Sequence, residues 1–188
     1  MASGVVAALI GWLKDWLLKS RDQARNANFA AIGVIAKLDL YALHSRSNVW
    51  GYHEETAGLD PQAHYQNWPS CSYPELTIAD DELRHLDVEH ASDLAWLTTE
   101  KALASQHLRV IYEASFDPTE VHRHQAEVVG YFGYEAYLLA SKLRKKYGLS
   151  SFGQRWGVDD DFSDLERAWL RTKSEVAKRA RPITEDDL

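Results

Sequence analysis

No proline falls between Gly4 and His44, and the glycines inside that stretch, Gly11 and Gly33, are isolated. A run of that length without a breaker predicts one long helix or two collinear ones, roughly 60 Å if unbroken at 1.5 Å per residue. Its first part, Val5 to Leu13, is apolar on every side, and after Lys14-Asp15 the apolar character resumes at Trp16-Leu17-Leu18. A mostly polar stretch, Lys19 to Asn28, separates it from Phe29, Ile32, Ala36, Leu40 and Leu43. Steps of three and four are the period of a helix face, which places this second set in a core.

Strong punctuation marks the rest. Asp80-Asp81-Glu82 sets negative charge where a helix N-terminus favours it, and helical periodicity continues to about Ala114 with a break near 87–93. Asp117-Pro118-Thr119-Glu120 combines an N-cap with proline at the first helical position. Lys142, Arg144, Lys145 and Lys146 suit the negative end of that helix, and Gly148 can close it. Ser163-Asp164-Leu165-Glu166 matches a capping box for a final helix that stops near Arg181, before Pro182. Residues 46–76 read as a long loop broken by Gly51, Gly58, Pro61, Pro69 and Pro74. Its aromatics, Trp50, Tyr52, Tyr65, Trp68 and Tyr73, favour a loop wrapped over helices, with a short helical turn from Pro61 to Asn67 capped by Asp60. The fold class is therefore all-α: a long N-terminal helix, a bundle of three to four further helices and a long aromatic-rich loop. It divides into an N-terminal apolar helix (1–26), one helical domain (27–181) and an acidic tail (182–188).

Charge is unevenly spread along the 188 residues, whose formal net is −7. Residues 1–45 carry five basic and three acidic groups, a net of +2, while residues 46–120 carry four basic and fourteen acidic, a net of −10. This balance argues against nucleic acid, which requires clustered cations. One cysteine, Cys71, excludes an internal disulfide framework and makes the reducing cytosol the default compartment.

The N-terminal helix carries the most functional information. Val5 to Leu13 is too short to span a bilayer, which needs about 20 residues. Trp12 and Trp16 lie four apart, with Leu9, Leu13 and Leu17 beside them and Lys19, Arg21 and Arg25 following. Tryptophans at headgroup depth with cations over anionic lipid are the pattern of an interfacial helix. The competing reading is a helix packed in its own core or against a second copy.

Metal and catalytic signals are thinner. Glu82, His85, Glu89 and His90 form one acidic and histidine cluster, and Glu120 and His124 another. A four-helix di-metal site needs two Glu-x-x-His motifs, and Glu82-Leu83-Arg84-His85 supplies one. With no second copy, no metal and no cofactor is expected, and solvated polar faces account for the clusters. Cys71 has no base beside it in sequence, and no phosphate loop or hydrolase motif is present. Gly130 and Gly133, inside the helix after Pro118, read as points of close helix approach.

The segments GVVAALIGWLKDWLLKSRDQAR and SCSYPELTIADDELRHL give the chain a likeness to small bacterial and prophage-encoded proteins with a membrane-proximal N-terminal helix. That resemblance implies membrane association and brings no catalytic residue with it; the expected location is the cytoplasm, at the inner face of the membrane. The expected function is a non-enzymatic, membrane-proximal interaction protein docking through residues 4–18. Its competitors are a soluble homo-oligomer and an all-α metal-dependent enzyme using the acidic and histidine residues.

Overall fold

The computed structural model of the protein describes residues 2–115, 117–153 and 162–179; the side chains of residues 2–11, 13 and 65 lie outside the described set. Six α-helices and no strand occur among the described residues: α1 (Ala2–Thr56), α2 (Pro61–His64), α3 (Asp80–His85), α4 (Val88–Ala114), α5 (Pro118–Tyr147) and α6 (Ser163–Arg179). The all-α expectation holds. Helix α5 is the centre, packed against α1, α4 and α6.

The caps explain most boundaries. Asp117 accepts the Thr119 N–H at 2.9 Å ahead of Pro118, and Gly148, at φ 64°, closes α5 in the left-handed conformation that an L side chain resists. Asp60 accepts the Gln62 N–H at 3.0 Å and starts α2, which tightens into a 3₁₀ turn over Tyr65–Asn67, as predicted. Asp87 caps α4 by accepting from the His90 N–H at 3.2 Å, which puts the break between α3 and α4 at Leu86 and Asp87. Helix α6 already includes Ser163 as its first residue, and the Phe162 carbonyl accepts the Glu166 N–H. The cap therefore lies one residue earlier than the sequence box suggests. The acidic tail from Pro182 lies outside the described residues.

Two expectations are corrected. Helix α1 does not end near His44 but runs to Thr56, so Trp50 and Tyr52 belong to it and the loop is shorter than 46–76. Only Gly51 opposes the extension, at about 1 kcal/mol, while Val49 and Tyr52 continue the buried side of the helix. The second correction concerns which side is buried. Phe29, Ile32 and Leu40 face solvent, whereas Ala31, Val34, Ile35, Leu38, Tyr41, Ala42, Ser45, Val49 and Tyr52 form the core face. Both sets have steps of three and four. The winning set supplies small residues where α5 comes closest: a Cβ on Gly133 would stand 2.5 Å from the Ser45 Cβ, and one on Gly130 would stand 2.7 Å from that of Ala168 in α6. The two glycines are points of close helix approach, as predicted.

The core has two parts. One joins α1 to Leu94, Leu97 and Leu108 of α4 and to Phe132, Ala136, Ala140 and Leu143 of α5. The other gathers Ala42, Val49, Tyr52, Cys71, Val129, Phe162 and Leu165, with Trp68 and Tyr137 packed on it. Between α1 and α5 lies the Asp39–Arg144 ion pair, with both side chains largely buried. Burial raises the Asp39 carboxyl above its ordinary range despite the opposing pull of the Arg144 guanidinium.

Candidate functional site: the projecting arm of helix α1

Every described residue from Lys14 to Asn26 is exposed, and α1 first becomes buried at Ala31. Over these thirteen residues the helix therefore extends beyond the bundle as an arm of about 20 Å at the helical rise. Trp12 and Trp16 expose 67% and 56% of their surface, and Leu17 and Leu18 about half. Arg25 pairs with Asp22 at 3.3 Å, and Lys14, Lys19 and Arg21 are exposed. Of the other residues expected to make contact, Leu9 and Leu13 have side chains outside the described set.

Helical geometry sorts these residues. On a step of about 100° per residue, Trp12 and Trp16 fall within about 40° of each other, on the side that Val34 and Tyr41 bury further along. Lys14, Arg21 and Arg25 fall on the opposite side. An isolated helix gains nothing from exposing two tryptophans to water, and burying each relative to exposure is worth roughly 2–3 kcal/mol. Among the described residues no helix is long and apolar enough to cross a membrane.

The candidate metal ligands are dispersed among structural ion pairs. Glu82 takes both Lys37 contacts at 2.7 and 2.8 Å and also accepts the Ala79 N–H. Glu89 pairs with Lys142 at 2.8 Å, a lysine that also reaches Asp93. His90 is buried, its Nδ1 2.6 Å from Asp87, while Lys146 reaches the other Asp87 oxygen at 3.2 Å. His85 is exposed at the end of α3, and the helical break after it places His85 and Glu89 on different helices. These contacts fasten the acidic start of α4 to the basic end of α5, which explains the Lys142–Lys146 run. Glu120 faces Arg123 at 3.5 Å on the surface. No group of three or more His, Cys, Asp or Glu side chains among the described residues is placed to hold a metal ion.

His124 is the remaining candidate. Its Nδ1 lies 3.9 Å from Glu127 and 3.7 Å from Glu175 of α6, and Arg171 holds Glu127 at 3.2 Å. The His124 imidazole beside it keeps the Glu127 carboxyl below its ordinary range, with burial opposing and Arg171 and Arg123 adding. A groove of about 440 Å³ adjoins this cluster, lined by Trp96, Leu103, Leu108, Tyr131, Phe132 and Val176. Cys71 lies elsewhere in the core, where burial pushes its thiol up to about 12, the reverse of an activated nucleophile.

Sequence reasoning missed the outer side of α1. Phe29, Ile32, Leu40 and Trp50 are all about half or more exposed. The available signal was the presence of two apolar sets at helical spacing on one helix, of which a single partner helix covers only one. No family model, no curated protein and no solved structure matches this chain.

Proposed function

We propose that this protein works by attachment rather than catalysis, with the α1 arm binding an anionic lipid surface. The carrying observation is the arm itself: a helix clear of the bundle that exposes Trp12 and Trp16 together with four cations, Lys14, Lys19, Arg21 and Arg25. Tryptophan favours the headgroup level of a bilayer, and lysine and arginine favour the phosphates above it. Charge asymmetry supports the same orientation. The net of +2 over residues 1–45 draws the arm toward an anionic surface, while the net of −10 over residues 46–120 keeps the body away. Because the bundle lies on the tryptophan side of α1, the arm meets the surface tip-first and tilted rather than lying flat.

Asp15 and Asp22 offset two of the four cations, and the remaining two charges at about 1 kcal/mol each amount to roughly thirtyfold in affinity between anionic and neutral lipid. The test is co-sedimentation of the full chain with phosphatidylserine-containing and pure phosphatidylcholine vesicles. Binding should require the anionic lipid, weaken as salt rises, and disappear in Trp12→Ser/Trp16→Ser, whose circular dichroism should match the parent. No binding to either vesicle, or binding unaffected by the double substitution, would overturn this reading.

A further inference from the structure

A second surface lies on the side of α1 away from α5. Phe29, Ile32, Leu40 and Trp50 expose 66%, 48%, 53% and 62% of their surface there, with Ala36 exposed among them and Leu43 beside them, its inner side packed on the second core cluster and its outer side open. On the helical step these six positions share an arc of about 80°. Five of them form a palindrome centred on Ala36, whereas Trp50 lies beyond it and would face Asp22 of a reversed copy. Phe29 and Leu43 stand seven residues to either side, Ile32 and Leu40 four to either side, and the smallest side chain sits at the middle.

From this spacing we infer that the outer face of α1 docks a second copy of the chain in an antiparallel pair, with the twofold axis passing at Ala36. An isologous interface requires a patch complementary to itself under reversal. Here reversal places Phe29 of one copy against Leu43 of the other and Ile32 against Leu40. Alanine at the crossing lets the axes approach toward the lower end of the usual 8–10 Å.

The area suffices. With roughly 150–250 Å² for each aromatic side chain, Phe29 and Trp50 expose about 250 Å² between them. Ile32, Leu40 and their neighbours bring the stripe to about 500 Å² per copy, so pairing removes about 1,000 Å² in all, the lower bound for a specific interface. The pairing leaves Trp12 and Trp16 outside it, since they lie on the other side of the helix.

Cysteine placement tests both the partner and its direction, because the native thiol, Cys71, is only 1% exposed. Ala36→Cys should form an intermolecular disulfide under mild oxidation. Phe29→Cys and Leu43→Cys should each remain monomeric alone on a non-reducing gel and cross-link when mixed. Sedimentation equilibrium of the native chain without lipid should show dimers, and Leu40→Glu should weaken them at least tenfold while leaving the circular dichroism unchanged, as should the more peripheral Trp50→Glu. The inference is overturned by a chain that stays monomeric throughout the concentration series, by Phe29→Cys cross-linking efficiently to itself, or by dimers that survive Leu40→Glu and dissociate in Trp12→Ser/Trp16→Ser.

Discussion

Adding one methyl group to two different glycines should move stability in opposite directions. At Gly133 of α5 the new Cβ would stand 2.5 Å from the Ser45 Cβ, 3.0 Å from its Oγ and 3.2 Å from Leu165 Cδ1. Carbon atoms pack best at roughly 3.5–4.0 Å, so α1 and α5 must separate by about 1 Å at their closest point. A Cβ is fixed to the backbone and cannot rotate away. Overpacking of this kind costs typically about 1–3 kcal/mol or more, against a gain of about 1 kcal/mol from replacing glycine in a helix. With both partners fixed, the cost should lie at the upper end, and Gly133→Ala should lose about 2 kcal/mol net. At Gly51 a Cβ meets nothing within 4 Å, so Gly51→Ala should keep the propensity gain, up to about 1 kcal/mol. Urea unfolding followed by circular dichroism measures both, provided the slope with denaturant stays constant. Ser45→Gly should recover part of the loss in the Gly133→Ala background. If Gly133→Ala proves as stable as the parent, the close approach of α1 and α5 is wrong.

Three further outcomes follow from the buried groups. Asp39→Leu removes the acceptor and strands the Arg144 guanidinium, so it should lower stability in urea unfolding by more than replacing both residues by leucine does. Cys71 should react with a thiol reagent at pH 8 only at the rate of unfolding; fast modification of the folded chain would contradict its burial. Because the folded pKa of Glu127 is depressed, its contribution is fully present above the unfolded carboxyl value and is lost as pH falls below about 4.5. Glu127→Gln should therefore be less stable than the parent at pH 7, with the gap closing toward pH 3 in urea midpoints.

Two helix starts were legible because caps are local chemistry: Asp60 and Asp117 announce their helices within three residues of sequence, whereas the Asp87 cap was legible only as a break in the helical period. The end of α1 was not legible, because it depends on Val49 and Tyr52 finding partners far along the chain that outweigh Gly51. The buried face of α1 was invisible for a related reason. Period alone cannot separate Phe29–Ile32–Leu40 from Val34–Leu38–Tyr41, and the choice is made by Gly133 pressing on Ser45, a contact across 88 positions. Of the candidate site, Trp12 and Trp16 were legible as a pair, while their shared side with the bundle needed the third dimension. The acidic and histidine cluster read as solvated polar faces, and its ion pairs were not legible because the partners, Lys37, Lys142 and Lys146, lie outside the local pattern.

The distance in sequence between α1 and α5 also bears on how the chain is made. Helix α1 ends at Thr56 and α5, its main partner, is complete only at Tyr147, 91 residues later. At roughly 5–20 residues per second, synthesis leaves that gap open for about 5–18 s. Throughout it the nascent chain presents both apolar sides of α1 with the burying helix still unmade, a helix that tertiary packing rather than propensity must hold. For those seconds both faces of α1 are open to their surroundings, before the bundle exists to hide one of them.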